Sequence, residues 1–163
     1  MARAHKKQSD EDEGIKLICR NRRAFHDYAI EEKLECGIVL TGTEVKSLRE
    51  GGTSLEDAYA KVDGGEVWLI GCDIPEYTFG NRLNHKPKRP RKLLLHRREI
   101  AKFADKATQR GFTLMPLRMY FRDGRAKVEI AVARGKKEYD KRESEKKQEA
   151  QREIRRAMTD RNR

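Results

Sequence analysis

Residues 113–133 read TLMPLRMYFRDGRAKVEIAVA, and their reading decides the fold. Two apolar-rich runs meet at Asp123 and Gly124, residue types that tolerate the positive φ angles of a tight hairpin turn. Past the turn, Lys127 and Glu129 alternate with Val128, Ile130 and Val132, which sets one face of the strand toward a core and the other toward solvent. A second hairpin precedes it at residues 58–70, AYAKVDGGEVWLI, turning around Asp63, Gly64 and Gly65. A further strand pair is expected between residues 25 and 40, where FHDYAI and GIVL flank an acidic stretch; Glu31, Glu32 and Lys33 leave its register open.

Two helices interrupt these strands. The first is predicted from about Thr43 to Glu50, with Val45 and Leu48 on one face and Gly51 as its stop. The second, near residues 97–110, sets Ile100, Phe103, Ala104 and Ala107 at i, i+3, i+4 and i+7 and stops at Gly111. Trp68 and Phe103 stand in apolar patterns and are assigned to the core. Short antiparallel strands with two or three small helices in about 120 residues fit a mainly β fold, an OB-like antiparallel barrel, better than a layered α/β sheet. Periodicity alone leaves other small barrels open.

The 163 residues suit one domain. They divide into a flexible polar arm at 1–14, a patterned body at 15–133 and a basic tail at 134–163. The tail's apolar residues are Tyr139, Ala150, Ile154, Ala157 and Met158, too few to offset the entropy of ordering, so the free tail is expected to be disordered. It has no proline, and no glycine after Gly135, and it sets Glu138 before Arg142 and Glu143 before Lys147 at i, i+4. It is therefore poised to become helical against a partner.

Lys and Arg number 38 against 27 Asp and Glu, a net charge of +11 in a chain that is 40% charged. Such a surface suits a polyanion, because each cation that neutralises a phosphate releases a condensed counterion; nucleic acid leads and anionic membrane comes second. The densest signal is residues 81–98, NRLNHKPKRPRKLLLHRR, where Arg82, Lys86, Lys88, Arg89, Arg91, Lys92, Arg97 and Arg98 precede any acidic residue. Pro87 and Pro90 keep this segment extended, so it is read as a phosphate contact against the plainer reading of a solvated loop. Charge does not choose RNA over DNA. Aromatic residues are few, which favours recognition of shape and backbone over a base-stacking platform.

No apolar run reaches the ~18 residues of a spanning helix, and the first fourteen residues carry no apolar targeting core, so a soluble cytoplasmic protein is expected. Cys19, Cys36 and Cys72 are odd in number and form no CxxC, which indicates neither disulfides nor a metal site, and no cofactor motif is present. His26 beside Asp27, with His85 and His96, could in principle do acid–base work on RNA. HExxH, GxSxG and GxxxxGKS are all missing, however, and the histidines fit polar surface positions, so the chain is read as a non-enzyme.

Five blocks carry more. NRRAFHDYAI from Asn21, LECGIVLTGTEVKSLREG from Leu34, RKLLLH from Arg91, GFTLMPLRMY from Gly111 and KVEIAVARGKKEYDKR from Lys127, in this order, resemble the small protein B (SmpB) family of bacteria. The resemblance implies an OB-like barrel with about three short helices, bound to the tRNA-like domain of transfer-messenger RNA. It implies delivery of that RNA to ribosomes stalled on mRNA lacking a stop codon, with a tail that turns helical in the empty decoding centre and mRNA path, and tagging of the nascent chain without a covalent step by the protein. The implied partners are transfer-messenger RNA, the ribosome with its small-subunit rRNA, and the elongation factor that delivers aminoacylated RNA; DNA and membrane are not among them.

Position by position, the family's RNA-face residues fall on Asn21, Glu35, Leu94 and Lys127; Arg22, His26 and Lys92, in the same blocks, complete the expected set. Asn21 and Lys127 would donate to RNA, Glu35 would accept from a base edge or sugar hydroxyl, and Leu94 would pack on an exposed base. Leu94 reads equally well as core, since it stands in a Leu triplet. In the tail, Gly135, Lys136, Lys137, Asp140, Lys141 and Arg142 match GKK and DKR elements that act in the decoding centre, and Tyr139 is placed to stack there. Cys36 stands where the family more often has Ala, and its thiol is expected beside the RNA face. A structural ribosomal protein or a general OB-type RNA binder is the alternative.

Overall fold

The computed structural model describes residues 14–161; the arm expected at 1–14 lies, apart from Gly14, outside them. The described elements are β1 (Ile15–Arg20), α1 (Arg22–Asp27), β2 (Tyr28–Ile38), α2 (Gly42–Glu50), β3 (Tyr59–Asp63), β4 (Glu66–Ile70), β5 (Arg91–Leu94), α3 (Arg97–Thr108), β6 (Phe112–Arg122), β7 (Arg125–Gly135) and α4 (Glu138–Arg161). Strands β6, β3, β4, β5, β2 and β7 pair in turn, and β7 returns to β6, so the antiparallel ring closes. The ring closes through short seams, two residue pairs between β2 and β5 and one between β3 and β6. β1 sits outside it on the C-terminal half of β6, with Ile15 opposite Arg122, while the N-terminal half of that same edge meets β3 through Leu114 opposite Ala60.

Both expected hairpins are present. β3 and β4 turn after Asp63 opposite Glu66, and β6 and β7 turn on Asp123 at φ 50° and Gly124 at φ 75°. Inside the ring lie Cys36, Val67, Leu69, Leu93, Leu114, Met119, Val128, Ile130 and Val132, closed over by Leu48 of α2 and Phe103 of α3. Glu32, at the edge of this interior, accepts from Lys102 and Lys106 and so ties α3 to β2. A second, smaller core lies on the outer side of β6 and β7, where Ala24 of α1 packs on Met115, Leu117, Ala131 and Ala133.

Two features differ from the sequence reading. Only the second half of FHDYAI, Tyr28 to Ile30, is strand: residues 22–27 form α1, and β2 is one eleven-residue strand rather than a pair, with a register shift between Ile30 and Glu32 that absorbs the acidic stretch. Trp68 is not core; it alternates with buried Val67 and Leu69 and lies half-buried on the outer face between Lys61 and Lys92. β7 pairs as far as Gly135 opposite Tyr28, two residues into the expected tail. Helix α4 follows, with its Ile154 and Met158 exposed.

Candidate nucleic-acid interface

The register lines up one row across five strands. Leu94 lies opposite Gly37, Gly37 opposite Lys127, Lys127 opposite Tyr120, and Tyr120 opposite Leu17. Directly paired residues share a face, and the neighbours Leu93, Cys36, Val128 and Met119 point inward, so the row is on the outside of the barrel. Its two ends are apolar and open: Leu94 is 52% and Leu17 55% exposed. A Cβ at Gly37 would come within 3.2 Å of the Leu94 Cβ, so the glycine lets Leu94 lie against β2.

Glu35 joins the row one pleat along. Its carboxylate accepts from the Tyr120 hydroxyl and from Arg122 Nη1 at 2.5 Å. Arg118 and Arg122 flank the Tyr120 ring at 5.1 and 5.7 Å from its centroid. Burial, reinforced by the bond to Glu35, raises the Tyr120 pKa, so its hydroxyl stays a donor. Glu129 next to it accepts from Arg118 Nε at 2.7 Å and lies 3.7 Å from Lys33 Nζ. Lys127, half-buried, has no carboxylate within 4 Å among the described residues. The strip thus offers an ammonium for a phosphate, carboxylate oxygens held in fixed positions, and apolar ends for a base or ribose. Sequence reasoning missed Tyr120, Arg118, Arg122 and Leu17, although the period of two in residues 118–122 carried the signal.

The other expected residues fall in different places. Asn21 is fully buried: Nδ2 donates to Leu55 O at 3.0 Å and Pro116 O at 3.1 Å, and Oδ1 accepts from Ala24 N at 3.0 Å as the cap of α1. Pro116 interrupts the β6 ladder, the register slips there, and Asn21 collects the freed carbonyls, its own N–H donating to Leu117 O at 2.8 Å. Both amide hydrogens being used, Asn21 has no donor left for RNA. Arg22 is exposed at the start of α1. Lys92 is half-buried on the outer face of β5 and donates to Glu66. Cys36 alternates with Glu35 and points into the barrel, its thiol pushed up to about 12 by burial, so it is not beside the strip.

His26, 45% exposed in its side chain, bridges two carboxylates: Nδ1 to Asp27 Oδ1 at 2.7 Å and Nε2 to Glu145 Oε1 at 2.8 Å. The bond to Glu145, then that to Asp27, raises its pKa above 6.5. Asp27 also lies 3.7 Å from Lys141 Nζ, and its carbonyl accepts from Lys136 N at 2.9 Å. Lys136 Nζ donates to Phe25 O at 3.2 Å. Gly135 ends β7, while Lys137, Asp140 and Arg142 are exposed; the stacking expected of Tyr139 lies outside the described side chains.

The basic segment 81–98 splits. Arg91 is wholly buried, its Nε donating to Glu44 Oε1 at 2.8 Å and its other nitrogens to Cys72 O and Pro87 O. Arg89 grips both oxygens of the same carboxylate at 2.7 and 2.6 Å. Burial alone would raise the Glu44 pKa; the two guanidiniums and the Thr41 N–H outweigh it and hold the carboxyl below its usual range. His85 is buried between Thr43 Oγ1 and Ile74 O. Among the described residues no three His, Cys, Asp or Glu side chains group as metal ligands, and no helix is long and apolar enough to cross a membrane.

A closed antiparallel ring of strands with Lys127, Arg118 and Arg122 along an outer strip, and a long, highly charged terminal helix, in a chain of net charge +11, defines the class: a small basic β-rich protein with a surface suited to a polyanion. The family model described as SmpB protein matches residues 18–160, and the chain belongs to that family. It is 60% identical over 155 residues to the SsrA-binding protein of Thermobifida fusca (strain YX), covering 95% of this chain and 97% of that one. The SsrA-binding protein of Acidothermus cellulolyticus is 58% identical, over 90% of this chain and 92% of its own. A chain from a solved structure described as "tmRNA-SmpB: a journey to the center of the bacterial ribosome" superposes with TM-score 0.65 at 46% identity, over 76% of this chain and 87% of that one.

Proposed function

We propose that this chain binds the tRNA-like domain of transfer-messenger RNA and delivers it to ribosomes stalled on mRNA lacking a stop codon, where α4 occupies the empty decoding centre and mRNA path. The observation that carries the reading is the row Leu94, Gly37 and Lys127 on the outer face of the ring, with Glu35 and the buried Tyr120 beside it. Names of the relatives, as SsrA-binding proteins, and the match of the family through residue 160 support it. On this reading Lys127 holds a phosphate, Leu94 packs on an exposed base, Glu35 accepts from a sugar hydroxyl or base edge, and Arg22 and Lys92 add charge. Asn21 acts through the placement of α1.

The tail is the ribosomal part. Its described apolar side chains Ile154 and Met158 are exposed, so its helix gains little from the body and is expected to form and melt readily when free. Lys136, Lys137, Asp140, Lys141 and Arg142 follow Gly135 into the decoding centre, together with Tyr139. The elongation factor that brings aminoacylated RNA is the further partner, and the ribosome supplies the peptidyl transfer; the chain itself catalyses no covalent step.

Truncation before Lys136 tests the division of labour. Titration of labelled transfer-messenger RNA is expected to give nearly unchanged affinity while tagging in a reconstituted translation system is abolished. Loss of tight RNA binding in the truncated chain would sink the proposal. Equal competition by elongator tRNA, with a steep salt dependence, would return the chain to a general RNA binder.

A further inference from the structure

Phe79 and Leu83, at 80% and 86%, are the most exposed large apolar side chains among the described residues. Both sit on the connection between β4 and β5, far along it from the strip: Arg91 to Leu94 is three strand steps, about 10 Å, and the tip lies beyond Arg91. Exposed apolar residues on a loose loop would mean little. This loop is braced.

Asn84 ties it across its width. Its Nδ2 donates to Tyr77 O at 2.9 Å, and its Oδ1 accepts from His85 N at 3.1 Å and from Tyr77 N at 3.3 Å. Gly80 N also donates to Tyr77 O, at 2.8 Å, and Asn81 Oδ1 accepts from Leu83 N at 3.0 Å. A Cβ at Gly80 would fall 2.4 Å from Asn84 Nδ2, so the closure requires glycine. Below, buried His85 pins the segment to Thr43 and Ile74, and Lys46 covers the Tyr77 ring at 5.5 Å. The backbone is thus fixed while Phe79, edge-on to Tyr77 at 5.8 Å, and Leu83 project outward.

A braced loop that leaves its apolar side chains in water is organised for a partner, since the ordering cost has been met before binding. The charges around the tip say which. Arg82 stands between the two apolar residues, Lys86 and Lys88 follow, all exposed, and none has a carboxylate within 4 Å among the described residues. An aromatic face among unpaired cations suits a base with its flanking phosphates. We propose that the tip at residues 79–83 is a second RNA contact, in which Phe79 stacks on an unpaired base, Leu83 packs on its sugar, and Arg82, Lys86 and Lys88 hold adjacent phosphates. This deepens the RNA-binding reading of the strip and rests on it.

The test is fluorescence titration of the full chain with labelled transfer-messenger RNA, comparing Phe79→Ala, Phe79→Trp and Lys127→Ala. Phe79→Ala is expected to weaken binding about tenfold with an unchanged salt slope, and Phe79→Trp to restore it. Wild-type affinity in Phe79→Ala beside weakened binding in Lys127→Ala overturns the loop contact and leaves the strip standing. Wild-type affinity in both overturns the strip reading as well. If Phe79→Ala leaves RNA affinity intact but loses binding to a purified protein partner, the tip is a protein contact and the proposal fails.

Discussion

Two Lys- and Arg-rich stretches of this chain behave differently in the fold, the first free of acidic residues and the second interleaved with Asp and Glu. Segment 81–98 and the tail from Lys136 are both dense in Lys and Arg, yet the first sends Arg89 and Arg91 onto one buried carboxylate while the second leaves most of its cations in solvent. The difference is set by Glu44, forty-odd residues earlier in sequence, whose side chain is wholly buried on α2. Local charge density therefore reports the capacity to meet a polyanion; whether a given guanidinium is available depends on a distant acidic partner. Of the segment's cations, Arg82, Lys86, Lys88, Arg97 and Arg98 stay exposed for a ligand, and Arg91 belongs to the core.

Removing charge from each stretch should separate them most. Arg91→Ala leaves Glu44 short of a partner and two buried carbonyls, of Cys72 and Pro87, without donors. A loss of about 3–5 kcal/mol is expected, seen as a fall in Tm of roughly 10 °C or more in thermal unfolding. Arg142→Ala and Arg155→Ala, both in exposed tail positions, should move stability by less than about 0.5 kcal/mol. Equal Tm values for the two kinds of variant would erase the distinction. A smaller effect is expected from Asn21→Ala, which removes the α1 cap and strands the carbonyls of Leu55 and Pro116: about 2 kcal/mol by chemical denaturation, with RNA affinity falling through displacement of α1 rather than loss of a direct contact.

What was legible follows from range. The two hairpins and the helices at Gly42–Glu50 and Arg97–Thr108 declared themselves through turn residues and periodicity within a dozen positions. Helix α1 was not legible because its cap, Asn21, is completed by carbonyls on residues 55 and 116. The strip was half legible: alternation marked Lys127 as outward, but that it stands between Gly37 and Tyr120 follows from the closed ring, which no local pattern encodes. The same holds for Leu94, whose Leu triplet reads as core until Gly37 makes room for it outside. Trp68 was misread because an apolar neighbourhood does not say which of two strand faces a residue takes.

The finest contrast lies where body and tail meet. His26 holds Glu145 of α4 while bonded to Asp27, which also approaches Lys141. Docked, the imidazole has a pKa raised above 6.5, by Glu145 first and Asp27 second; release removes the Glu145 share and leaves that of Asp27, its neighbour on α1. The docked state therefore binds the proton more tightly, and its advantage is complete below pH 6.5 and is lost as pH rises through the raised pKa. Asp27, its pKa lowered below 3.8 chiefly by the bond to His26, keeps that bond when the tail leaves; docking adds the Lys141 contact, whose share works in the opposite sense, present above 3.8 and lost as pH falls through the lowered value. Between these limits the root of α4 should be best protected. Amide hydrogen exchange in the first two turns of α4, corrected for intrinsic rates, is expected to quicken from about pH 5.5 to about pH 8, and His26→Gln should flatten the profile. A flat profile in the unmodified chain, or an unchanged slope in His26→Gln, would mean that this contact does not hold the tail, and the tail would then differ from segment 81–98 in having no anchor that responds to pH.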